Sequence, residues 1–151
     1  TNYGRRNGEK IMSILPIKLL SENAILPTRA NPTDSGLDLY VAEDTTIPAH
    51  STVVVPTHIA IDLAYGYEAQ VRPRSGNSLK TKLRVALGTI DHTYNKEIGI
   101  ITDNIGDEAI VVKAGTRLAQ LVVTPVMLPE PTEVQEFDEE SERGAYGSTG
   151  E

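Results

Sequence analysis

Hydrophobic and polar positions alternate along much of this chain in short runs. From residue 67 to 72, Tyr67, Ala69 and Val71 interleave with Glu68, Gln70 and Arg72. That period of two marks a strand with one buried face. Further runs of strand length cover residues 14–20, 37–41, 52–56, 59–63, 97–102, 109–113 and 118–126. Turn signals separate them: Asn31-Pro32, Ile47-Pro48-Ala49, Tyr65-Gly66, Ile105-Gly106-Asp107 and Ala114-Gly115. Many short strands at this spacing predict an all-β sandwich or barrel. One segment departs from the pattern. Leu79, Leu83, Ala86 and Leu87 recur at a helical spacing, which predicts a short helix near residues 78–82 leading into a strand. Thr89-Ile90 and the run from Ile98 to Ile101 are strand-like, so residues 91–96 are predicted to form the bend of a β-hairpin.

The two ends differ from the middle. Residues 1–11 are mostly polar and are expected to be a disordered arm or a cloning remnant, with Met12 as a natural start. Residues 12–131 make up the expected barrel domain. Residues 132–151 read as a flexible acidic linker followed by a glycine-rich terminus. The linker contains EVQEFDEESE at 133–142, and the terminus, RGAYGSTG at 143–150, has glycines, hydroxyls, one Arg and one Tyr. A bending backbone with those donors can grip phosphate, although a plain disordered tail is the commoner meaning of such a stretch.

Composition narrows the picture. The chain has 151 residues, enough for one domain with its own core. With one Phe and no Trp, that core has to be built from Val, Ile and Leu, which suits strands. A net charge of −7 argues against nucleic acid as a partner, because backbone binding needs a basic face. A polyphosphate substrate is compatible, since a divalent cation and a few Arg side chains can neutralise it. The absence of Cys excludes disulfides, zinc–thiolate sites and thiol catalysis. No apolar run approaches the ~18–20 residues of a membrane span, and no signal peptide is visible.

Several short constellations could carry chemistry, each with a bland alternative. Pro73-Arg74-Ser75-Gly76 could cradle an anion at a helix start, or be a surface turn. Asp91 could be a carboxylate general base, or a turn residue accepting backbone hydrogen bonds. Asp38, between Leu37 and Leu39, could organise a metal's water shell or simply face solvent. His50, His58 and His92 show no ligand spacing.

Their order along the chain is more informative than any one of them. Ser35-Gly36-Leu37-Asp38-Leu39-Tyr40, Pro73-Arg74-Ser75-Gly76, Gly88-Thr89-Ile90-Asp91-His92-Thr93-Tyr94, Gly115-Thr116-Arg117-Leu118-Ala119-Gln120-Leu121 and Arg143-Gly144-Ala145-Tyr146-Gly147-Ser148-Thr149-Gly150 resemble the five motifs of trimeric dUTPases. The resemblance implies a jelly-roll-like, dUTPase-like β-barrel with a mobile C-terminal arm. It also implies a homotrimer whose subunits share each active site, Mg2+ as cofactor, and hydrolysis of dUTP to dUMP and pyrophosphate. Asp91 matches the water-activating carboxylate, and the attacked atom is the α-phosphorus. Tyr94 matches the aromatic packed on the deoxyribose, and main-chain groups from Gly88 through Ile90 to Tyr94 match the uracil reader. Arg74, Ser75, Gly76 and Gln120 match phosphate contacts, while Asp38 matches a carboxylate reaching Mg2+ through water. In the tail lid, Arg143 would grip phosphate and Tyr146 would stack on uracil. Gly147 would let the backbone bend there, and Ser148 and Thr149 would bind the γ-phosphate.

Three departures accompany the match. Arg143 stands only three residues before Tyr146, Asn95-Lys96 replace a common Arg-Gly, and Asn77 replaces a common Leu. A dCTP deaminase would share the fold, but the Thr89-Ile90-Asp91-His92-Thr93-Tyr94 segment and the tail favour a dUTPase. A purely regulatory protein on this fold would be expected to lack site residues that are present here. The implied location is the cytoplasm, or the host-cell interior for a viral protein.

Overall fold

The computed structural model describes residues 3–6 and 9–145. In chain order the first strands are β1 (Tyr3–Arg6), β2 (Glu9–Met12), β3 (Ile17–Leu19), β4 (Leu37–Tyr40) and β5 (Thr45–Ile47). Next come β6 (Ser51–Pro56), β7 (Ile59–Ile61), β8 (Tyr67–Pro73) and a single-turn-and-a-half helix, α1 (Ser75–Lys80). The chain continues through β9 (Leu83–Val85), β10 (Gly88–Ile90), β11 (Gly99–Asn104), β12 (Ile110–Val112) and β13 (Arg117–Pro125). The architecture is all-β and jelly-roll-like. Its main sheet has the order β10-β8-β13-β4, and a second has the order β6-β11-β9. The two-stranded pairs β12-β5, β3-β7 and β1-β2, with an isolated bridge from Thr28 to Asp38, complete the pairing among the described residues, which does not close into one continuous barrel. The β1-β2 pair lies in the stretch that the sequence marked as an N-terminal arm.

Alternation puts the core where the pattern predicts it. Ala69 and Val71 of β8 are buried while Glu68, Gln70 and Arg72 are not. They pack with Leu39, Val41, Ile47, Val55, Ile100 and Leu121 in a core cluster built from aliphatic side chains. After β13, residues 127–145 form neither strand nor helix, and all of them are exposed.

Two predicted features come out differently. The helix begins at Ser75 rather than near residue 78, buries none of its residues, and leaves Leu79 85% exposed. Leu83 belongs to β9, so the helical spacing of those leucines joins two unrelated elements. The hairpin around Asp91 does not form either. β10 pairs with β8, whereas β11 pairs with β6 and β9, so residues 91–98 cross between sheets. The end of that crossing is fixed by the Ile98 N–H, which donates to the Ile59 carbonyl at 2.9 Å.

Buried polar groups are paired. Asn104 is 1% exposed; its Nδ2 donates to the carbonyls of Ile47 (3.0 Å) and Glu108 (2.8 Å), and its Oδ1 accepts from Gly106 N–H (2.9 Å). Asn104→Ala would strand these backbone groups and is expected to cost about 2–3 kcal/mol. Urea unfolding measures this, and an unchanged midpoint would contradict the role given to Asn104. At the surface, Asp44 ties two turns together. Its carboxyl is held below the usual carboxylate range first by the Ala114 N–H and then by Lys113. A depressed carboxylate stabilises the fold above its unfolded pKa, and that contribution is lost as pH falls through the folded value.

Candidate active site

The main sheet carries most of the candidate residues, in two places. Asp38 on β4 lies opposite Gln120 of β13, which in turn lies opposite Arg72 of β8. Arg74 follows β8 directly as the N-cap of α1, so β4, β8 and β13 deliver Asp38, Arg74 and Gln120 to one cleft. The cleft has a volume of about 360 Å³, and Ala30, Asp34, Ser35, Gly36 and Arg117 also line it.

Its electrostatics centre on Asp38, whose side chain is 13% exposed. Arg74 Nε lies 3.2 Å from Asp38 Oδ1, and Arg117 Nη1 lies 4.0 Å from Oδ2. This largely buried carboxylate sits between two guanidinium groups, and its ion pair fixes Arg74 in place. Arg74 Nη1 also donates to the Arg117 carbonyl at 2.8 Å, and its remaining N–H groups are left for an anion. Arg117 itself rests 5.7 Å from the centre of the Tyr40 ring. The Tyr40 hydroxyl is joined to Thr28 Oγ1 at 2.6 Å. Ser75 and Gly76 open α1 and are exposed.

Gly36 has a definite reason to be glycine. A β-carbon there would overlap Gln120 Oε1, while Gln120 Nε2 donates to the Pro73 carbonyl at 2.9 Å. Gly36→Ala is therefore expected to push Gln120 out of the cleft and lower kcat/KM for a phosphate substrate by about 10-fold. Wild-type kinetics in that variant would show that Gln120's position is unimportant.

The second place is at the opposite edge of the sheet. Gly88 and Ile90 on β10, with Tyr94, Glu97, Ile98, Gly99 and Val71, line a smaller cleft of about 190 Å³. β10 pairs only with β8, so its outer edge keeps backbone donors and acceptors free of strand partners among the described residues. Asp91 follows β10 and is exposed, and its carbonyl accepts the Tyr94 N–H at 3.0 Å to close a turn. Tyr94 O–H donates to the Glu97 carbonyl at 2.6 Å, which orients the ring. His92 packs edge-on against Tyr65, with ring centres 5.3 Å apart, and so steadies the turn that holds Asp91.

The two groups are thus brought together internally but not with each other. Neither cleft shares a lining residue with the other. Arg143 is exposed, and its N–H donates to Ser141 Oγ at 3.1 Å. Tyr146, Gly147, Ser148 and Thr149 lie outside the described residues. Among the described residues, no three His, Asp or Glu side chains converge to hold a metal, and no helix is long and apolar enough to cross a membrane. Asp38 and Asp34 line the cleft with Arg74 and Arg117, and their carboxylate oxygens fit a hard cation that would take most of its ligands from phosphate oxygens and water.

Sequence reasoning gave no role to Arg117, which lies within a motif, or to Asn77, which was marked only as a departure from the family pattern. Asn77 Nδ2 donates to the carbonyls of Arg117 (2.8 Å) and Leu118 (3.2 Å), a contact across some forty positions with no local signature.

Comparison with known proteins identifies the family and the fold. The dUTPase family profile matches residues 22–150. A deoxyuridine 5'-triphosphate nucleotidohydrolase of Hydrogenobaculum is 44% identical over 140 residues, covering 90% of this chain and 97% of that protein. Among solved structures, a G164S mutant of the Staphylococcus bacteriophage 80alpha dUTPase with dUpNHpp superposes with a TM-score of 0.87 at 32% identity. That alignment covers 91% of this chain and 99% of the phage chain. A D95N mutant dUTPase from phage phi11 of S. aureus, described with a coordinated structural Mg(II) ion, gives a TM-score of 0.81 at 30% identity. It covers 84% of this chain and all of that one (100%).

Proposed function

The chain belongs to the dUTPase family, and from that premise we propose that it hydrolyses dUTP to dUMP and pyrophosphate in a homotrimer with shared active sites. The observation that carries the sharing is the position of the two clefts. Asp38 and Asp91 sit at opposite edges of a four-stranded sheet, on β4 and just beyond β10. With strands ~4.8 Å apart and ~3.3 Å per residue, that places them on the order of 15–20 Å apart in one chain. A water poised ~3–3.5 Å from phosphorus cannot be served by both. A neighbouring subunit's phosphate cleft, docked against the base cleft of this one, brings the two sets together.

The division of labour follows from the residues. The free outer edge of β10, from Gly88 to Ile90, offers the main-chain groups that read uracil. Cytosine would present a donor where a backbone N–H needs an acceptor, leaving buried groups unpaired. Tyr94, held by its hydroxyl to Glu97, packs on the deoxyribose and leaves no space for a 2′-hydroxyl. Arg74, Ser75, Gly76 and Gln120 of a second subunit hold the phosphate oxygens. Asp91 takes a proton from the water as its oxygen bonds to the α-phosphorus, and the bond to the bridging oxygen breaks with departure of pyrophosphate. Arg74 offsets the charge that develops on the departing group. Mg2+, when bound, would supply neutralisation of the triphosphate, and Asp38 is the residue that would hold it, through water.

The arm has a place in the same scheme. Residues 127–145 leave their own core with Met127, Leu128, Val134 and Phe137 exposed, as expected of a segment that packs on another copy. It carries Arg143, and beyond it Tyr146, Gly147, Ser148 and Thr149, toward a third subunit's site. Pyrophosphate release from dUTP, dTTP, dCTP and UTP, with and without Mg2+, tests the activity. Release confined to dUTP and dependent on Mg2+ is expected; equal release from all four would overturn the proposal.

A further inference from the structure

We propose that Asn77 is a positioning residue that sets the reach of the Arg74 guanidinium, and this rests on the phosphate-gripping role given to Arg74 above. The register between β13 and β4 shifts between Arg117 and Ala119, forming a bulge. A bulge leaves backbone groups outside the ladder and re-aims its neighbours, and it often lies beside an active site. Here the freed carbonyls point at α1. Asn77 Nδ2 donates to both, to Arg117 O at 2.8 Å and to Leu118 O at 3.2 Å. The Arg117 carbonyl accepts a second hydrogen bond, from Arg74 Nη1 at 2.8 Å. One oxygen therefore anchors both the catalytic-site arginine and the helix that follows it.

The helix depends on that anchor. It spans six residues, buries none of them, and its N-cap makes no side-chain capping bond. So short a helix is marginal without tertiary contacts, and its apolar Leu79 is left largely exposed. The Asn77 main chain closes the other end, because its carbonyl accepts from Thr81 N–H at 3.0 Å and Thr81 Oγ1 at 2.6 Å. Asn77 thus ties the start of α1, just after the Arg74–Ser75–Gly76 turn, to the same carbonyl that holds Arg74. Without it, Arg74 keeps its ion pair with Asp38 but loses the fixed distance between that pair and the helix start.

The test is a double-substitution cycle on the full-length protein. Asn77→Leu keeps the side chain's size and branching and removes both donors; it is expected to lower kcat/KM for dUTP by roughly 10-fold, mostly in kcat. In an Arg74→Ala background, Asn77→Leu is expected to change kcat/KM by less than about 2-fold, because the group that Asn77 positions is gone. Asn77→Gln, which keeps the donors on a longer stem, should recover part of the loss. Equal effects in the two backgrounds, or an Asn77→Leu variant with wild-type kinetics, would overturn the proposal. If Asn77→Leu fails to fold, Asn77→Ser gives the same cycle with a milder change. A wild-type chain that releases no pyrophosphate from dUTP would instead sink the activity itself, so the two failures are distinguishable.

Discussion

Asp91→Asn is expected to lower kcat for dUTP by about 10²–10⁴-fold, the usual worth of a positioned general base. The substitution keeps the size of the side chain and its capacity to hold a water, and removes only the basic oxygen. Asp91 is exposed beyond the end of β10, and the hydrogen bond closing its turn uses its main-chain carbonyl, so the turn survives. Binding of dUpNHpp should accordingly stay within about 3-fold of wild type, because the uracil and sugar contacts proposed above lie on β10 and Tyr94. A kcat within a factor of a few of wild type would remove Asp91 from the mechanism. Equal losses in binding and turnover would mean that it shapes the site without acting as the base.

Arg74→Ala is the second large effect. The side chain offers several charge-assisted hydrogen bonds, each worth about 1.5–3 kcal/mol, to a phosphate. Its removal also takes from Asp38 the nearer of its two ion-pair partners, leaving only Arg117 at 4.0 Å beside a largely buried carboxylate. Losing two such bonds predicts a drop in kcat/KM of about 10²–10⁴-fold. Arg74→Lys should recover only part of it, because an ammonium cannot reach Asp38, the Arg117 carbonyl and a phosphate at once. Steady-state kinetics on both variants measures this. An Arg74→Ala protein with unchanged kcat/KM would show that the cleft by β4 is not the phosphate site.

Much of this was legible in the residues. The alternation from Tyr67 to Arg72 fixed β8 and its buried face, and the ordered motifs located Asp38, Arg74, Gln120 and Asp91 before any geometry. What local pattern could not supply was pairing between distant segments. Thr89-Ile90 and the run after Ile98 look like the two arms of a hairpin. Whether they pair with each other depends on competition from β8, β6 and β9, which lie elsewhere in the sequence. Leu79 and Leu83 share a helical spacing by coincidence, one exposed on α1 and the other buried on β9. Asp38 was marked by its motif, but its ion pairs with Arg74 and Arg117 join distant segments and had no local signature. Asn77 stood out only as a departure from a family pattern, because its partners are bulge carbonyls on another strand. The last motif, from Tyr146 to Thr149, lies outside the described residues.

The central claim is a dUTP-hydrolysing site assembled from more than one copy of the chain. It is tested most directly by refolding Asp91→Asn and Arg74→Ala chains together at equal amounts, each nearly inactive alone. If Asp91 and Arg74 of one site come from different subunits, random assembly gives about one site in four with both native groups, since each is supplied with even odds. Pyrophosphate release from dUTP should then recover to about a quarter of the wild-type rate. Activity no higher than the average of the two separate variants would contradict a shared site and place both residues in a single chain's own centre.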